Sequence, residues 1–326
     1  LVPAKLSHID SRDEIKIPMN PLMVSPMDTV IDNDNSGKFF VEGFTVCLPR
    51  GVNEDFFDSF FHSLSLDEFE RYVDKLEKTD KNVLHYSRIL VDMANGHMLK
   101  LYNLCERFMK VKGIRQQLMI GNIANPETYL EYAKLGVDFI RVGIGGGSAC
   151  LTSANTSVHY PMASLIHECY LIKKKGNYKT QIVADGGFKN YDDIIKALAL
   201  GADYVMLGAI LNKCLEACGD TTLFGLVINK FKYSLWNIKC FRKHLKRKYR
   251  GMSTKQVQQK WGRTRIVTAE GITKSNIIDY TIDGWIENFN HYLRSAMSYT
   301  NSRTLDEFKE SNFVFISDNA FKRFHK

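Results

Sequence analysis

A glycine-rich turn followed by three polar or reactive side chains is the part of this 326-residue chain best suited to chemistry. Glycine at positions 143, 145, 146 and 147 lets the backbone turn tightly and approach a ligand closely. Ser148, Cys150 and Thr152 follow: the serine can bind an anion, and the cysteine stands where a nucleophile would. A free cysteine is usually a small buried hydrophobe, but the carboxyl end of a barrel strand favours chemistry. The glycine spacing does not fit the dinucleotide-binding fingerprint, so we expect a loop that presents a nucleophile.

Two later strand ends also carry glycine. In Asp185-Gly186-Gly187 the carboxylate can accept both hydroxyls of a ribose, and Gly187 can offer a backbone N–H to a phosphate. Asp185 alone could instead close a turn or cap a helix. Gly208-Ala209 follows the apolar run 204–207 and offers further N–H groups. Three neighbouring strand ends with glycine are typical of the phosphate site of an α/β barrel, so the pattern predicts a nucleotide-binding enzyme.

Charge and composition narrow the class of protein. A net charge of +8 and a pI near 9.0 suit an anionic ligand and suit nucleic acid equally. The basic run 242–250 lacks the interleaved aromatic or groove-reading pattern of a known nucleic-acid-binding module, which favours a solvated basic face over nucleic-acid binding. Seven cysteines with no CxxC pair and no zinc spacing, and no signal sequence, indicate a reducing, cytoplasmic setting. The apolar runs are far shorter than the ~20 residues of a membrane span, so no membrane partner is expected.

Apolar runs alternate with amphipathic stretches, which predicts parallel strands joined by crossover helices. We expect strands at 21–25, 44–48, 88–92, 117–121, 138–142, 181–184 and 204–207. An eighth strand end at 248–252 and a closing helix at 282–297 would complete a (β/α)8 TIM barrel of the α/β class, a single catalytic domain over residues 1–326. A doubly wound open sheet is the competing arrangement. Two segments do not follow the alternation of strands and helices. We expect 223–246 to be an extended insertion before strand eight and 253–270 to be a mobile flap.

Taken in order, these motifs resemble those of the IMP dehydrogenase/GMP reductase family over nearly the whole chain. The resemblance rests on Ser25-Pro-Met-Asp-Thr-Val30, Asp92-Met-Ala-Asn-Gly96, Gly121-Asn122, Gly143-Ile-Gly-Gly-Gly-Ser-Ala-Cys150, Ala184-Asp-Gly-Gly187, Val205-Met-Leu-Gly208, Tyr249-Arg-Gly-Met252 and Ala269-Glu-Gly271. It implies a (β/α)8 barrel, a homotetramer and a purine nucleoside monophosphate as ligand. The chain departs from the family at Gly146, where proline is usual, and at Ala209, where serine or glycine is usual.

The resemblance also implies a role for each matching residue. Cys150 would attack C2 of the purine as a thiolate and form a covalent adduct, and Thr152 and Glu270 would be the other catalytic residues. The phosphate would lie on Ser148, Gly187, Gly208 and Tyr249, and the ribose on Asp185. The full set implied to bind the nucleotide is Ser25, Met27, Asn122, Arg141, Ser148, Asp185, Gly187, Gly208, Ala209, Tyr249, Gly251, Met252 and Ser253. The nicotinamide cofactor would contact Asp92, Ala94 and Asn95, and a monovalent cation such as K+ would match the backbone carbonyls of Gly145, Gly147 and Cys150.

The family runs two reactions through this adduct. The dehydrogenases move hydride from IMP to NAD and hydrolyse the adduct to XMP, whereas the reductases release ammonia from GMP and take hydride from NADPH to give IMP. No CBS insertion follows strand two here, and residues 253–270 lack the Arg-Tyr pair that activates water in the dehydrogenases. These features favour a GMP reductase. Arg141 and Tyr249-Arg250-Gly251 look more like a dehydrogenase, so IMP dehydrogenase is the alternative, followed by activity on a modified or deoxy purine nucleotide and by a non-enzymatic nucleotide-binding protein.

Overall fold

Eight parallel strands form a closed barrel, which confirms the predicted (β/α)8 class. The computed structural model describes residues 1–52, 59–78, 87–111, 116–260, 271–317 and 319. Every strand of the barrel pairs with the next one along the chain, and the last pairs with the first. The strands are β1 Leu22–Val24, β2 Thr45–Leu48, β3 Phe61–Leu64, β4 Arg88–Asp92, β5 Gln117–Ile123, β6 Phe139–Val142, β7 Gln181–Asp185 and β8 Tyr204–Leu207.

In the described part of the chain, a helix follows each barrel strand except β2, and these helices cover the outside of the barrel. Their ends obey local rules: in the helix that begins at Pro126, the Asn125 side chain accepts the N–H of Glu127 at 2.8 Å, and Gly136 ends the helix with φ 81°. The helices are α1 Asn33–Val41, α2 Leu66–Lys78, α3 Leu99–Val111, α4 Pro126–Leu135, α5 Thr152–Thr156, α6 Met162–Gly176, α7 Tyr191–Ala199, α8 Ala209–Asn212, α9 Lys232–Trp236, α10 Lys239–Arg242, α11 Lys255–Lys260, α12 Ile282–Tyr299 and α13 Leu305–Phe308.

Helix α12 closes the ring of helices, as predicted for 282–297. Its Trp285 stacks on Tyr191 of α7, with ring centroids 5.2 Å apart, and lies 6.5 Å from the ring of Phe44, just before β2. A helix late in the chain thereby packs beside the start of β2. Among the residues described, no helix combines the length and the apolar composition that crossing a membrane requires.

The inside of the barrel is filled by a packed core. Each strand contributes buried side chains that meet on the axis, and Phe61 of β3 packs edge-on against Phe139 of β6 with centroids 5.3 Å apart. Because these side chains fill the barrel, we expect a ligand to bind at one of its ends. The axial side chains are Met23, Cys47, Phe61, Leu90, Met119, Phe139, Val183, Tyr204 and Met206.

The predicted position of strand eight was wrong. The eighth barrel strand is β8 Tyr204–Leu207, because a strand that the sequence did not reveal, β3, precedes it. β3 has only four residues and contains His62 and Ser63, which are buried although polar. Two such residues hide the continuous apolar run by which a buried parallel strand is recognised. The insertion 223–246 therefore follows strand eight instead of preceding it.

Residues 248–252 belong instead to a second, antiparallel sheet. It consists of β9 Thr221–Leu223, β10 Leu226–Val227, β11 Leu245–Arg250 and β12 Thr273–Ile277, in the order β10-β9-β11-β12. Along β11, Leu245, Arg247 and Tyr249 are buried, whereas Lys246 is exposed. This alternation is typical of an antiparallel sheet with one face on the core and one in solvent. Part of the predicted flap, 255–260, is helix α11, and 261–270 lie outside the described residues.

One buried arginine anchors this sheet to the barrel. Arg247 is fully buried and donates hydrogen bonds to the carbonyl oxygens of Asn212 at 3.2 Å, Leu215 at 3.0 Å and Cys214. Its Nε also donates to Thr221 Oγ1 at 3.3 Å. Burial lowers the pKa of the guanidinium to about 10, so the group remains charged at neutral pH. The cation therefore satisfies the carbonyls that follow α8 and fixes β11 over the barrel.

We expect Arg247→Met to lower the free energy of unfolding by about 3 kcal/mol or more, because buried carbonyls lose their donors. The matched control is Lys246→Met at the exposed neighbouring position, where a change within about 0.5 kcal/mol is expected. Urea unfolding followed by circular dichroism measures both. Equal, small effects of the two substitutions would contradict the anchoring role.

Candidate functional site

A cavity of about 560 Å³ opens at the carboxyl ends of the barrel strands, where α/β barrels carry their active sites. Its volume is in the range of small-molecule sites. All the predicted site residues in the described part of the chain line it. These are Ser25, Met27, Asp92, Ala94, Asn95, Asn122, Arg141, Gly145, Gly147, Ser148, Cys150, Thr152, Asp185, Gly187, Gly208, Ala209, Tyr249, Gly251, Met252 and Ser253. The remaining predicted catalytic residue, Glu270, lies outside the described residues.

The loop after β6 holds Cys150 at this cavity. The N–H of Cys150 donates to the carbonyl of Gly147 at 2.9 Å, and the Cys150 backbone pairs antiparallel with Gly271. The thiol is half-buried, and its Sγ donates to Thr152 Oγ1 at 3.3 Å. Gly271 is the first described residue after the predicted flap. The sequence neighbour of Glu270 is therefore held directly beside the cysteine.

Cys150 differs from the other six cysteines in its surroundings. Burial raises the pKa of the Cys47 and Cys169 thiols to about 12, and it also raises the pKa of Cys105, Cys214 and Cys218. These five thiols are held in their protonated, unreactive form. Cys240 is exposed and does not line the cavity. Cys150 is thus the cysteine that a ligand in the cavity can reach.

Two glycine loops pack backbone against backbone beside Cys150. Gly186, with φ 96°, lies so close to the loop after β6 that an added Cβ would stand 3.0 Å from the Gly147 nitrogen. Neither the φ value nor the space suits a residue with a side chain. The glycines that the sequence marked as ligand-binding therefore also allow the loops after β6 and β7 to meet.

A tyrosine from the antiparallel sheet completes the end of the cavity near Ser148 and Gly208. The Tyr249 hydroxyl lies 3.4 Å from Met27 Sδ and is hydrogen-bonded to the Ser148 side chain. A Cβ on Gly208 would stand 3.0 Å from the Tyr249 oxygen, so glycine permits this approach. Burial raises the pKa of Tyr249, which keeps the phenol protonated as a hydrogen-bond donor. Hydroxyls and the N–H groups that begin α8 together suit a phosphate.

A buried arginine joins two carboxylates across the floor of the cavity. Arg141 Nη1 donates to Asp92 Oδ1 at 2.8 Å, and Nη2 lies 3.2 Å from Asp185 Oδ2 and donates to Asn122 Oδ1. Asn122 Nδ2 in turn donates to Asp185 Oδ2 at 2.8 Å. Burial opposes the charge of Arg141, but Asp185 and Asp92 outweigh it, and the pKa of the guanidinium is raised. The cation therefore persists and fixes both carboxylates.

At the Asp92 end, the cavity is lined by the loop after β4. Asp92 Oδ2 lies 3.6 Å from Arg50 Nε, and the Asn95 side chain accepts the N–H of His97 at 3.1 Å. The N–H of Asn122 donates to the Met93 carbonyl at 2.7 Å, which ties this loop to β5. Asp92, Ala94 and Asn95 are thereby placed together after β4, which stands opposite β8 and Gly208 in the eight-stranded barrel.

The carbonyls predicted to hold a monovalent cation are in the loop after β6. Gly147 O accepts the Cys150 N–H, and Gly145 O accepts the Ser153 hydroxyl at 3.1 Å. A carbonyl oxygen has two lone pairs, so each keeps one for an ion, and the K+ site stays a prediction. Within the described residues, no cluster of three or more His, Cys, Asp or Glu side chains is arranged to hold a metal ion.

The sequence did not single out several residues that line the cavity. Arg50 lies just after β2, so the rule applied to the other strand ends could have found it. Gln258 lies on α11, inside the predicted flap, and donates to the Ser253 carbonyl at 3.0 Å. Phe188 and Lys189 follow Gly187 directly. No spacing rule distinguishes these last three residues from ordinary surface positions.

The chain is similar to known proteins over most of its length. The family model described as "IMP dehydrogenase / GMP reductase domain" matches residues 67–326. An inosine-5'-monophosphate dehydrogenase of Cryptosporidium parvum is 29% identical over 73% of this chain and 56% of its own length. An inosine-5'-monophosphate dehydrogenase of Chlorobaculum tepidum is 31% identical over 73% of this chain and 47% of its own length. A GMP reductase of Buchnera aphidicola subsp. Baizongia pistaciae is 31% identical over 71% of this chain and 61% of its own length. The chain spans about half the length of the relatives it matches.

The contrast between the cysteines predicts a labelling pattern in the folded protein. Iodoacetamide near neutral pH should modify Cys150 and Cys240 and leave Cys47, Cys105 and Cys169 unmodified, because burial denies these three both access and the thiolate form. Peptide mass mapping after a short exposure reads the result. Labelling of the buried cysteines at the rate of Cys240, or an inert Cys150, would contradict the structure.

Proposed function

The chain belongs to the IMP dehydrogenase/GMP reductase family, and from that premise we propose that it reduces GMP to IMP and ammonia with NADPH. The observation that carries the proposal is Cys150 in the cavity, with the Thr152 hydroxyl 3.3 Å from its sulfur and Gly271 paired with its backbone. A reachable thiol with a hydroxyl beside it suits covalent chemistry at an electrophilic purine carbon.

The nucleotide would lie with its phosphate at the end of the cavity formed by Ser148, Tyr249 and the N–H groups at Gly187, Gly208 and Ala209. Asp185, fixed by Arg141 and Asn122, would accept the hydroxyls of the ribose. The purine would then point toward Cys150. The residues proposed to border the base and its approach are Ser25, Met27, Gly251, Met252 and Ser253.

In the first chemical step the Cys150 thiolate adds to C2 of guanine, and a proton is taken up on the purine ring. The 2-amino group then accepts a second proton and leaves C2 as ammonia, and the bond between sulfur and C2 remains. Thr152, in contact with the sulfur, and Glu270 are proposed to carry protons to the departing nitrogen as general acids. Replacement of the amine requires that the purine be held still, which the ribose and phosphate contacts provide.

NADPH, when bound, supplies the hydride that replaces sulfur at C2, so that IMP and the Cys150 thiolate are released. The chain's own part is to orient the cofactor. Asp92, held by Arg141 and 3.6 Å from Arg50 Nε, is a fixed acceptor for sugar hydroxyls, with Ala94 and Asn95 beside it. These groups fit a nicotinamide nucleotide, because they lie at the end of the cavity away from the proposed phosphate position. In sum, GMP, NADPH and two protons give IMP, NADP+ and ammonium.

The flap segment supports the reductase over the dehydrogenase. Hydrolysis of the adduct needs an activated water, which the dehydrogenases obtain from an Arg-Tyr pair in the flap. Residues 253–270 contain Arg263 and Arg265 but no Arg-Tyr pair. Without such a pair, departure of ammonia followed by reduction is the better-supported course.

IMP dehydrogenase is the second candidate. Most of the relatives described above carry that name, and Arg141 is a dehydrogenase-like residue that reaches both Asp92 and Asp185. In that reaction IMP, NAD and water would give XMP, NADH and a proton through the same cysteine. Assembly as a tetramer is part of either proposal, and light scattering of the purified protein measures it.

The experiment that tests the proposal supplies GMP with NADPH and, separately, IMP with NAD. We expect loss of reduced-cofactor absorbance with release of ammonia in the first mixture, and no gain of absorbance in the second. Cys150→Ala should lower turnover by about a thousandfold or more while GMP still binds. The matched control is Cys240→Ala, whose exposed thiol is outside the cavity and whose loss should leave turnover unchanged.

Three other results of this experiment would each support a different function or mechanism. Faster reaction of IMP with NAD would make the protein a dehydrogenase. Full turnover by Cys150→Ala would refute covalent catalysis at this residue. Nucleotide binding without turnover in either mixture would make it a binding protein.

A further inference from the structure

A lysine outside the barrel lies beside the proposed phosphate end of the cavity. Lys274, on β12, is paired in register with Tyr249 on β11. Its Nζ donates to the Ser148 carbonyl at 3.0 Å and lies 5.7 Å from the centre of the Tyr249 ring. Ser148 and Tyr249 both line the cavity. The ammonium group is thus brought to the same two residues that are proposed to receive the phosphate.

The orientation of Lys274 follows from the alternation along β12. Thr273, Ser275 and Ile277 are exposed, whereas Lys274 and Asn276 are half-buried. The side chain of Lys274 is therefore on the face of the sheet turned toward the barrel, with that of Tyr249. Partial burial on this face disfavours the charged form of a lysine, and a nearby anion would offset that effect.

The contact with Ser148 does not neutralise this charge. The acceptor is a backbone carbonyl, and an ammonium group has three N–H donors, so two remain for other partners. Lys189, which lines the cavity, and Lys213 are close enough to act on Lys274 electrostatically. Burial lowers the pKa of Lys274, and the like charges of Lys213 and Lys189 lower it further. An anion bound among these groups would relieve the repulsion.

We propose that Lys274 is a phosphate-binding residue that makes the site select nucleotides carrying a dianionic 5′-phosphate. Its ammonium group would donate a charge-assisted hydrogen bond to a phosphate oxygen held by Ser148 and Tyr249. Lys189, which also lines the cavity, would add longer-range attraction for the same group. The inference rests on the proposed function in assuming a nucleoside monophosphate in this cavity. It adds a residue from β12, which is outside the glycine motifs.

The test compares Lys274→Met, Lys274→Arg and the control Lys246→Met, which removes an exposed lysine from the adjacent strand β11. With the nucleotide that the wild-type protein turns over, Lys274→Met should raise KM about tenfold and leave kcat within about twofold. The inhibition constant of inorganic phosphate should rise by a similar factor. Lys274→Arg should restore most of both, and Lys246→Met should leave both unchanged.

Three results would overturn the proposal. The first is an unchanged KM in Lys274→Met. The second is a fall in the kcat of Lys274→Met, either alone or together with a rise in KM of similar size. The third is a rise in KM in Lys246→Met as large as that in Lys274→Met. The second would indicate a structural role, and the third an effect of overall charge. Failure of the assumption that a nucleoside monophosphate occupies this cavity would be visible earlier, because the wild-type protein would then neither bind nor turn over GMP or IMP.

Discussion

The geometry of the site depends on one buried cation. Arg141, at the end of β6, bridges Asp92 at the end of β4 and Asp185 at the end of β7, and Asn122 near the end of β5 joins the same network. Without the guanidinium, two carboxylates would face each other in a poorly solvated cavity and repel. With it, four neighbouring strand ends are held in one arrangement. The proposed nucleotide and cofactor ends of the cavity therefore share one electrostatic centre.

The barrel strands and the loops after them supply most of the cavity lining, and Tyr249 of the antiparallel sheet and the segment that follows it supply the rest. Tyr249 comes from this sheet, and Gly271, which precedes β12, pairs with Cys150. Arg247 fixes the sheet to the carbonyls that follow α8. The position of the phosphate end relative to the thiol is thus set by contacts between two sheets. A substitution far from the chemistry that loosens this junction would move both.

The sequence predicted the fold class and the residues that line the cavity better than the strands and loops that carry them. Ligand-binding residues at strand ends are local patterns, so Asp185 and Gly208 could be recognised from the apolar runs before them. The strand at 61–64 could not, because His62 and Ser63 are buried by tertiary packing that no local pattern encodes. The alternation of Leu245, Lys246 and Arg247 is typical of an antiparallel strand. The prediction of a barrel strand end at 248–252 did not take this alternation into account. Lys274 depends on cross-strand pairing, which the sequence alone does not give.

The central claim is that Cys150 bonds to C2 of a purine nucleotide during turnover. The most direct measurement is mass spectrometry of protein quenched with acid during steady-state reaction, followed by peptide mapping. The account predicts a purine-nucleotide adduct on the peptide that contains Cys150, at a level that falls once substrate is exhausted. Turnover with no adduct, or with the adduct on another residue, would contradict it.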